Sequence, residues 1–199
     1  MGLVKALDST DRRRLLLMFV VIFSACGIEL LGDTGREWLR YERTGVSAGE
    51  WWRLVSGHFT HLGPAHLGLN LAGLVLVALL AGRTLTSAEW LASLAVGMLS
   101  VNAGLFLLDP ELRWYVGLSG ILHGLLVAGL LIGLARRRAE SAVLLLVIAG
   151  KLVWEQFAGA LPGSTLSAGG PVIVNAHLYG AIGGVTAAAL ISRWRRASL

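Results

Sequence analysis

Residues 117–135 read GLSGILHGLLVAGLLIGLA and are followed at once by arginines at 136–138. The stretch carries no charged residue. At about 1.5 Å of rise per helical residue, it is long enough to cross a hydrocarbon core of ~30 Å. It also lacks the alternating pattern of a barrel strand, and backbone polar groups in lipid must be satisfied within the segment. The stretch is therefore predicted to be a membrane-spanning helix.

Other apolar stretches of comparable length accompany this one, at about 13–32, 65–82, 88–108, 141–160 and 172–192. Of the 199 residues, 55% are hydrophobic and 15% are charged. An ordinary soluble domain has a charged fraction of about a quarter. We therefore predict a single all-α domain over residues 1–199, a polytopic membrane protein with six transmembrane helices in a lipid bilayer.

The basic residues indicate the orientation of these helices. The formal net charge is +5, but the cations form short clusters between apolar stretches, so nucleic acid is not predicted as a partner. The clusters lie at alternate helix ends, namely Lys5 with 12–14, then Arg83, then 136–138, then 193–196. Cytoplasmic loops carry an excess of Lys and Arg, so both termini are predicted to be cytoplasmic. The first stretch continues past Cys26, which favours a retained helix over a cleaved signal.

A few strongly polar side chains lie inside the predicted helices. Such side chains are costly in a membrane, so each is a functional candidate. They are His66, Asn70, Ser119, His123, Lys151, Glu155 and His177. Of these, His66, Ser119 and His177 each lie within a few residues of the outer end of a helix, at a depth of about 8 Å that water can reach. Hydrolysis requires that water.

The residue types at this depth suggest acyl transfer. His66 and Asn70 are four residues apart, so both face one side of their helix and aim hydrogen-bond donors at one point. Ser119 opens its helix, where the unpaired amides of the first turn favour a developing negative charge. A serine needs a base, and His177 is the histidine of the sixth helix at the right depth. A Ser119–His177 dyad is the economical interpretation, since no Asp or Glu lies at that depth in the fourth or sixth helix.

Small residues predict which helices pack closely. Gly120 and Gly124 in the fourth helix, and Ala176, Gly180 and Gly184 in the sixth, recur at four-residue spacing. Small residues at this spacing let two helix backbones approach each other. The fourth and sixth helices are therefore expected to pack tightly.

The combination of these motifs resembles the rhomboid family of intramembrane serine proteases. The matching residues are Trp52-Arg53, His66 with Asn70, G-x-S-G at 117–120, and AHLYG at 176–180. Their order and helix placement make the combination specific, although G-x-S-G alone is weak. The resemblance implies a six-helix rhomboid-like bundle and a Ser119–His177 dyad. It also implies an oxyanion site of His66, Asn70 and the Ser119 amide, and a substrate helix that enters between the second and fifth helices.

Two longer motifs, GLSGILHG at 117–124 and KLVWE at 151–155, resemble the rhombosortase branch of that family. This second resemblance implies substrates that are single-span membrane-anchored proteins with a C-terminal sorting signal: a Gly-Gly motif, an apolar helix and a basic tail. It also implies a multi-pass protein of the bacterial inner membrane whose active site faces the periplasm. The sequence predicts no oligomeric state.

Several polar residues have alternative interpretations. His123 either contacts the site or bonds across helices. Lys151 and Glu155, four residues apart, form an internal ion pair, or Glu155 helps to recognise substrate at the gate. Trp52 and Arg53 have a specific structural role near the gate or are interface anchors.

No cofactor or metal is predicted. His58, His61 and His66 raise the question of zinc, but the H-E-x-x-H motif of a membrane metalloprotease is missing. Two rival functions remain: a non-catalytic rhomboid-like protein that binds membrane clients, and a small transporter that uses Lys151, Glu155 and the histidines. The transporter is disfavoured because no internal repeat is evident.

Overall fold

The structure, a computed structural model, describes residues 9–198. Lys5 and the two ends of the predicted 1–199 domain lie outside the described residues. The helices are α1 (Ser9–Glu29), α2 (Gly32–Leu39), α3 (Arg43–Ser47), α4 (Arg53–Phe59), α5 (Pro64–Leu80), α6 (Ser87–Leu107), α7 (Ser119–Gly133), α8 (Arg138–Ala158), α9 (Ser164–Ala168) and α10 (Val174–Ala197). Strand β1 (Tyr41–Glu42) pairs antiparallel with β2 (Trp114–Tyr115).

Three helices, α6, α8 and α10, are each long and apolar enough to cross a membrane. Two bent pairs pass the same test together: residues 12–29 with α2, at 118°, and α4 with α5, at 90°. If each pair counts as one span, the number of spans rises to five. Helix α7 is apolar but has 15 residues. The prediction of a mainly helical, multi-pass membrane protein is confirmed, whereas the number six stays a prediction.

The helix ends differ from the predicted ends where glycine changes the backbone direction. Gly32 has a φ of +64°, a left-handed conformation that favours glycine, and α1 ends at Glu29 instead of near residue 32. Gly117 has a φ of +120°, and α7 begins at Ser119 instead of residue 117. The connection predicted between about residues 33 and 64 contains three short helices, α2 to α4.

Arginines bind the connection at residues 33–64 to the rest of the bundle. The guanidinium of Arg43 donates hydrogen bonds to the carbonyls of Leu105 and Phe106 in the last turn of α6, at 2.6 and 3.0 Å. The last carbonyl groups of a helix have no N–H partner within the helix, and the Arg43 guanidinium supplies hydrogen bonds to them. Arg53 is buried, pairs with Glu50, and donates to the carbonyl oxygens of Glu37 and Arg40, both at 2.9 Å. The buried Arg53 side chain therefore links three separate parts of the connection by hydrogen bonds.

Helices α7 and α10 form the centre of the bundle because their glycines bring the backbones into contact. A Cβ atom added at Gly180 would lie 1.8 Å from the carbonyl oxygen of Gly120. One added at Gly184 would lie 2.2 Å from the carbonyl oxygen of Gly124. The predicted tight packing of the fourth and sixth helices is confirmed.

An ion pair fixes α10 to α6 at the ends remote from Ser119. The guanidinium of Arg195 donates to both carboxylate oxygens of Glu89, at 2.7 and 2.6 Å. Glu89 also accepts from the backbone N–H of Thr86, and Thr86 in turn accepts from the Glu89 N–H, which forms a capping box at the start of α6. This bidentate contact sets the position of α10 along α6.

Candidate active site

Ser119 and His177 are in direct contact. The Oγ of Ser119, the first residue of α7, lies 2.9 Å from Nε2 of His177, in the first turn of α10. A side chain at the neighbouring Gly120 would meet the carbonyl oxygen of Ala176 at 2.9 Å. The close approach of the two helices therefore depends on glycine and brings the serine within hydrogen-bond reach of the histidine.

The other side of the His177 ring faces a carboxylate from α8. Nδ1 of His177 lies 3.0 Å from Oε2 and 3.1 Å from Oε1 of Glu155. Glu155 and His177 are both buried. A carboxylate can only accept, so Nδ1 carries the proton and Nε2 presents its lone pair to Ser119. This is the tautomer that a general base requires.

Lys151, one turn before Glu155, forms the ion pair that the four-residue spacing predicted. Its Nζ lies 2.7 Å from Oε2 of Glu155 and 3.3 Å from Nδ1 of His177. Both Nζ and a protonated Nδ1 are donors, so the second approach is not a hydrogen bond for this tautomer. The Glu155 carboxylate accepts a hydrogen bond from each of the two groups. Its negative charge therefore lies beside both the Lys151 ammonium and the His177 ring.

His66 lines the same cavity as Ser119 and presents a donor. Nδ1 of His66 lies 3.3 Å from the backbone N of Leu62. A backbone N–H can only donate, so Nδ1 accepts and Nε2 of the neutral ring carries the proton. A Cβ atom at Gly117 would lie 3.1 Å from this Nε2, which places the ring against the turn that precedes Ser119.

Asn70 is buried one turn after His66. Its Nδ2 donates to the carbonyl oxygen of His66 at 2.9 Å, within its own helix. An amide nitrogen carries a second N–H, which remains available toward the cavity that Asn70 lines. The backbone N–H of Ser119 is a further donor, because the first residue of a helix has no intrahelical acceptor.

A cavity of about 310 Å³ opens over these groups. Its polar lining includes His66, Asn70, Ser119, His123, Lys151 and His177. Its apolar walls come from α5, α7 and α8, and α9 and Val172 cover one side. A larger cavity of about 530 Å³ near Arg14 and Trp90 is lined by no serine, threonine or cysteine. The nucleophile candidate therefore lies in the cavity between α5 and α8.

The Rhomboid domain family matches residues 48–194 of the chain. The chain belongs to the rhomboid family. It is also 36% identical over 81 residues to the protein named "Putative rhomboid protease YdcA" of Bacillus subtilis (strain 168). That match covers 41% of this chain and 41% of the relative. The family and the apolar helices together establish a multi-pass membrane protein of rhomboid type.

Within this rhomboid, His123 contacts the site at two points. Its ring stacks on that of His177, with centroids 4.4 Å apart and planes at 20°. Its Nδ1 donates to the carbonyl oxygen of Ser119 at 2.7 Å, one helical turn back. A ring held at both points restricts the rotation of His177. His123 therefore supports the site residues from within α7.

Trp52 and Arg53 lie away from the cavity. Arg53 is buried among the carbonyls of the connection at residues 33–64, and the Trp52 ring contacts that of Trp38, with centroids 5.6 Å apart. Neither residue lines the cavity that contains Ser119. Of the two interpretations of this pair, the structure favours a structural role for Arg53 and an exposed interface position for Trp52.

The two remaining histidines, His58 and His61, each contact a different polar group. His58 contacts Oδ1 of Asn102 at 3.3 Å, and His61 donates to the carbonyl oxygen of Phe59 at 3.1 Å. Burial, and then the neighbouring His66, lower the pKa of His61 to about 3, so its ring is neutral at physiological pH. Within the part of the chain that the structure describes, no group of three or more His, Cys, Asp or Glu side chains is placed to hold a metal.

Proposed function

We propose that this rhomboid is an intramembrane serine endopeptidase in which Ser119 attacks the peptide bond and His177 is the base. The observation that carries the proposal is the 2.9 Å contact between Ser119 Oγ and His177 Nε2 at the polar end of an otherwise apolar cavity. A nucleophile and base at this distance, with the base oriented by a third group, are typical of covalent acyl transfer.

The proposed reaction has two steps. Oγ of Ser119 attacks the carbonyl carbon while its proton moves to Nε2 of His177, and the collapsing intermediate takes that proton onto the leaving amine. Water then gives a proton to Nε2 and attacks the acyl-enzyme, and Ser119 leaves with the proton returned. The negative oxygen of each intermediate is bound by the Ser119 N–H, the His66 Nε2–H and the Asn70 amide.

For the substrate, we propose a single-span membrane-anchored protein whose helix enters between α5 and α8. The apolar walls that these helices give the cavity support this route. As in rhombosortases, the preferred substrate would end in a Gly-Gly motif, an apolar helix and a basic tail. This finer assignment rests on the 117–124 and 151–155 motifs.

We further propose six spans, formed by α1, α5, α6, α7, α8 and α10, in a bacterial inner membrane. The arginines at 136–138 follow the end of α7 that is remote from Ser119, and Arg193, Arg195 and Arg196 lie at the end of α10 remote from His177. The positive-inside rule then places both termini in the cytoplasm and the site toward the periplasm.

The experiment that tests this function is co-expression with a substrate that ends in the Gly-Gly, apolar-helix and basic-tail segment. Cleavage by the native protein and not by the Ser119→Ala variant is expected. If the native protein instead cuts only a generic transmembrane reporter with a destabilised helix, it is a rhomboid protease of another branch. If it cuts neither substrate, the non-catalytic client-binding function replaces the proposal.

Replacing His66 by alanine is expected to lower kcat by about 10²–10³-fold, because the intermediate loses one of its donors. KM should change far less, since the donor acts mainly on the charged intermediate. His66→Gln, which retains an amide N–H, should recover part of the loss. Kinetics of the purified variants measure both constants, and a His66→Ala protein with native kcat would remove His66 from the oxyanion site.

A further inference from the structure

We propose that Glu155 is the positioning residue for His177, so that the site operates as a Ser119–His177–Glu155 triad with Lys151 as the counter-ion of the carboxylate. This inference rests on the proposed protease function. It assigns to Glu155 a role inside the catalytic site instead of recognition of substrate at a gate.

The geometry supports a positioning role. Both carboxylate oxygens of Glu155 lie within 3.1 Å of Nδ1 of His177, and the Glu155 side chain is 2% exposed. A side chain enclosed in this way has no surface to offer to a passing substrate helix. Its contacts are with the histidine and with Lys151.

The two neighbours of the carboxylate explain why it stays ionised. A buried charge is costly unless it is paired and hydrogen-bonded, and Glu155 has an ammonium at 2.7 Å and an imidazole N–H at 3.0 Å. An ionised carboxylate holds the Nδ1–H tautomer in place. In this respect it resembles the aspartate of a Ser-His-Asp triad, which orients the histidine and stabilises the imidazolium.

The positive charge of Lys151 gives the Glu155 carboxylate a second role besides orienting His177. When Ser119 gives up its proton, the His177 ring becomes a cation whose Nδ1 lies 3.3 Å from the Lys151 ammonium. Two like charges at that distance repel each other. His123 stacks on one face of the ring, but as a neutral ring it offers no negative charge there. Glu155 is therefore the group that offsets the repulsion as the imidazolium forms.

The test uses four variants, with the purified native protein and Ser119→Ala as references. Glu155→Gln keeps the shape of the side chain and removes its charge, and Glu155→Asp keeps the charge on a shorter side chain. The double variant Lys151→Met/Glu155→Gln removes both charges, so that no buried ammonium is left unpaired. Glu140→Gln is the matched control, since it makes the same substitution in α8 at an exposed ion pair with Arg137.

We expect Glu155→Gln and the double variant to lower kcat by about 10²–10⁴-fold with little change in KM, as for loss of the triad carboxylate elsewhere. Modification of Ser119 by a fluorophosphonate should slow in parallel. Glu155→Asp should recover part of kcat, and Glu140→Gln should match the native protein. A merely structural role would change thermal stability and KM without this selective loss of kcat.

The outcomes of this test distinguish failure of this inference from failure of the proposed function. If Ser119→Ala is inactive while the double variant keeps native kcat, Glu155 does not position His177 and the protease function stands. If Glu155→Gln fails to fold, the double variant decides the question, because its site has no unpaired charge. If the native protein and Ser119→Ala are equally inactive, the protease function itself is wrong.

Discussion

Replacing Ser119 by alanine is expected to lower the rate of substrate cleavage by about 10⁴-fold or more. The variant has no oxygen nucleophile at the His177 Nε2 position, so an acyl-enzyme cannot form. Loss of a serine protease nucleophile leaves only the residual rate that the oxyanion site and substrate binding provide. Single-turnover cleavage of a transmembrane substrate by purified protein measures the effect.

Ser100→Ala is the matched control for that experiment. Ser100 donates to the carbonyl oxygen of Tyr179 at 2.7 Å, so this substitution also removes a serine contact to α10. Ser100 does not line the cavity that contains Ser119. Its variant should cleave at close to the native rate, which separates loss of the nucleophile from a general effect on helix packing. Native-like cleavage by Ser119→Ala would mean that another residue is the nucleophile.

Replacing Gly180 by alanine is expected to destabilise the fold by about 3 kcal/mol or more, at the upper end of the usual cost of overpacking. The new methyl carbon would lie 1.8 Å from the Gly120 carbonyl oxygen, a backbone atom that cannot rotate away. Helices α7 and α10 would have to separate. Because His177 lies three residues before Gly180 on α10, the Ser119–His177 contact should lengthen and cleavage should be lost as well.

Gly150→Ala provides the control, because a Cβ atom at Gly150 would meet nothing within 4 Å. This helical glycine is expected to tolerate alanine or to gain about 0.5–1 kcal/mol from it. Thermal unfolding of both variants in the same detergent gives the comparison. If Gly180→Ala unfolds at the same temperature as Gly150→Ala, the backbones of α7 and α10 are not in the described contact.

Much of the helical architecture could be predicted from apolar length alone. The six predicted stretches coincide in the main with α1, α5, α6, α7, α8 and α10, because a chain in lipid must satisfy its backbone polar groups internally. The bends were not predicted. The 118° bend lies at residues 30–31, two leucines between Glu29 and Gly32, and hydropathy does not show that the chain turns into a second helix there. Gly32 has a positive φ at this turn.

The part of the candidate site that follows from the position of each residue along its helix could be predicted. Ser119 and His177 could be paired because each lies near the predicted outer end of its helix, and the structure places Ser119 Oγ 2.9 Å from His177 Nε2. The sequence did not predict the contact between Glu155 and His177, because the predicted fourth and sixth helices carry no Asp or Glu at the depth of Ser119. Glu155 comes from the fifth, and its distance to His177 depends on how α8 is rotated about its own axis.

The spacing of Lys151 and Glu155 predicted their ion pair correctly but gave it no role in the site. A four-residue interval fixes which side chains meet along one helix. It does not fix which neighbouring helix they face. The four-residue spacing of His66 and Asn70 likewise predicted that both side chains lie on one face of α5. It did not predict that one amide N–H of Asn70 donates to the His66 carbonyl oxygen within the helix.

The most direct test of a Ser119 nucleophile activated by His177 is to treat the purified native protein with a fluorophosphonate and to locate the adduct by mass spectrometry. One modified peptide is expected, which carries the phosphonyl group on Ser119, and little or no modification of Ser119 in the His177→Ala variant. An unmodified Ser119 in the native protein, or equal modification with and without His177, would mean that His177 does not activate Ser119.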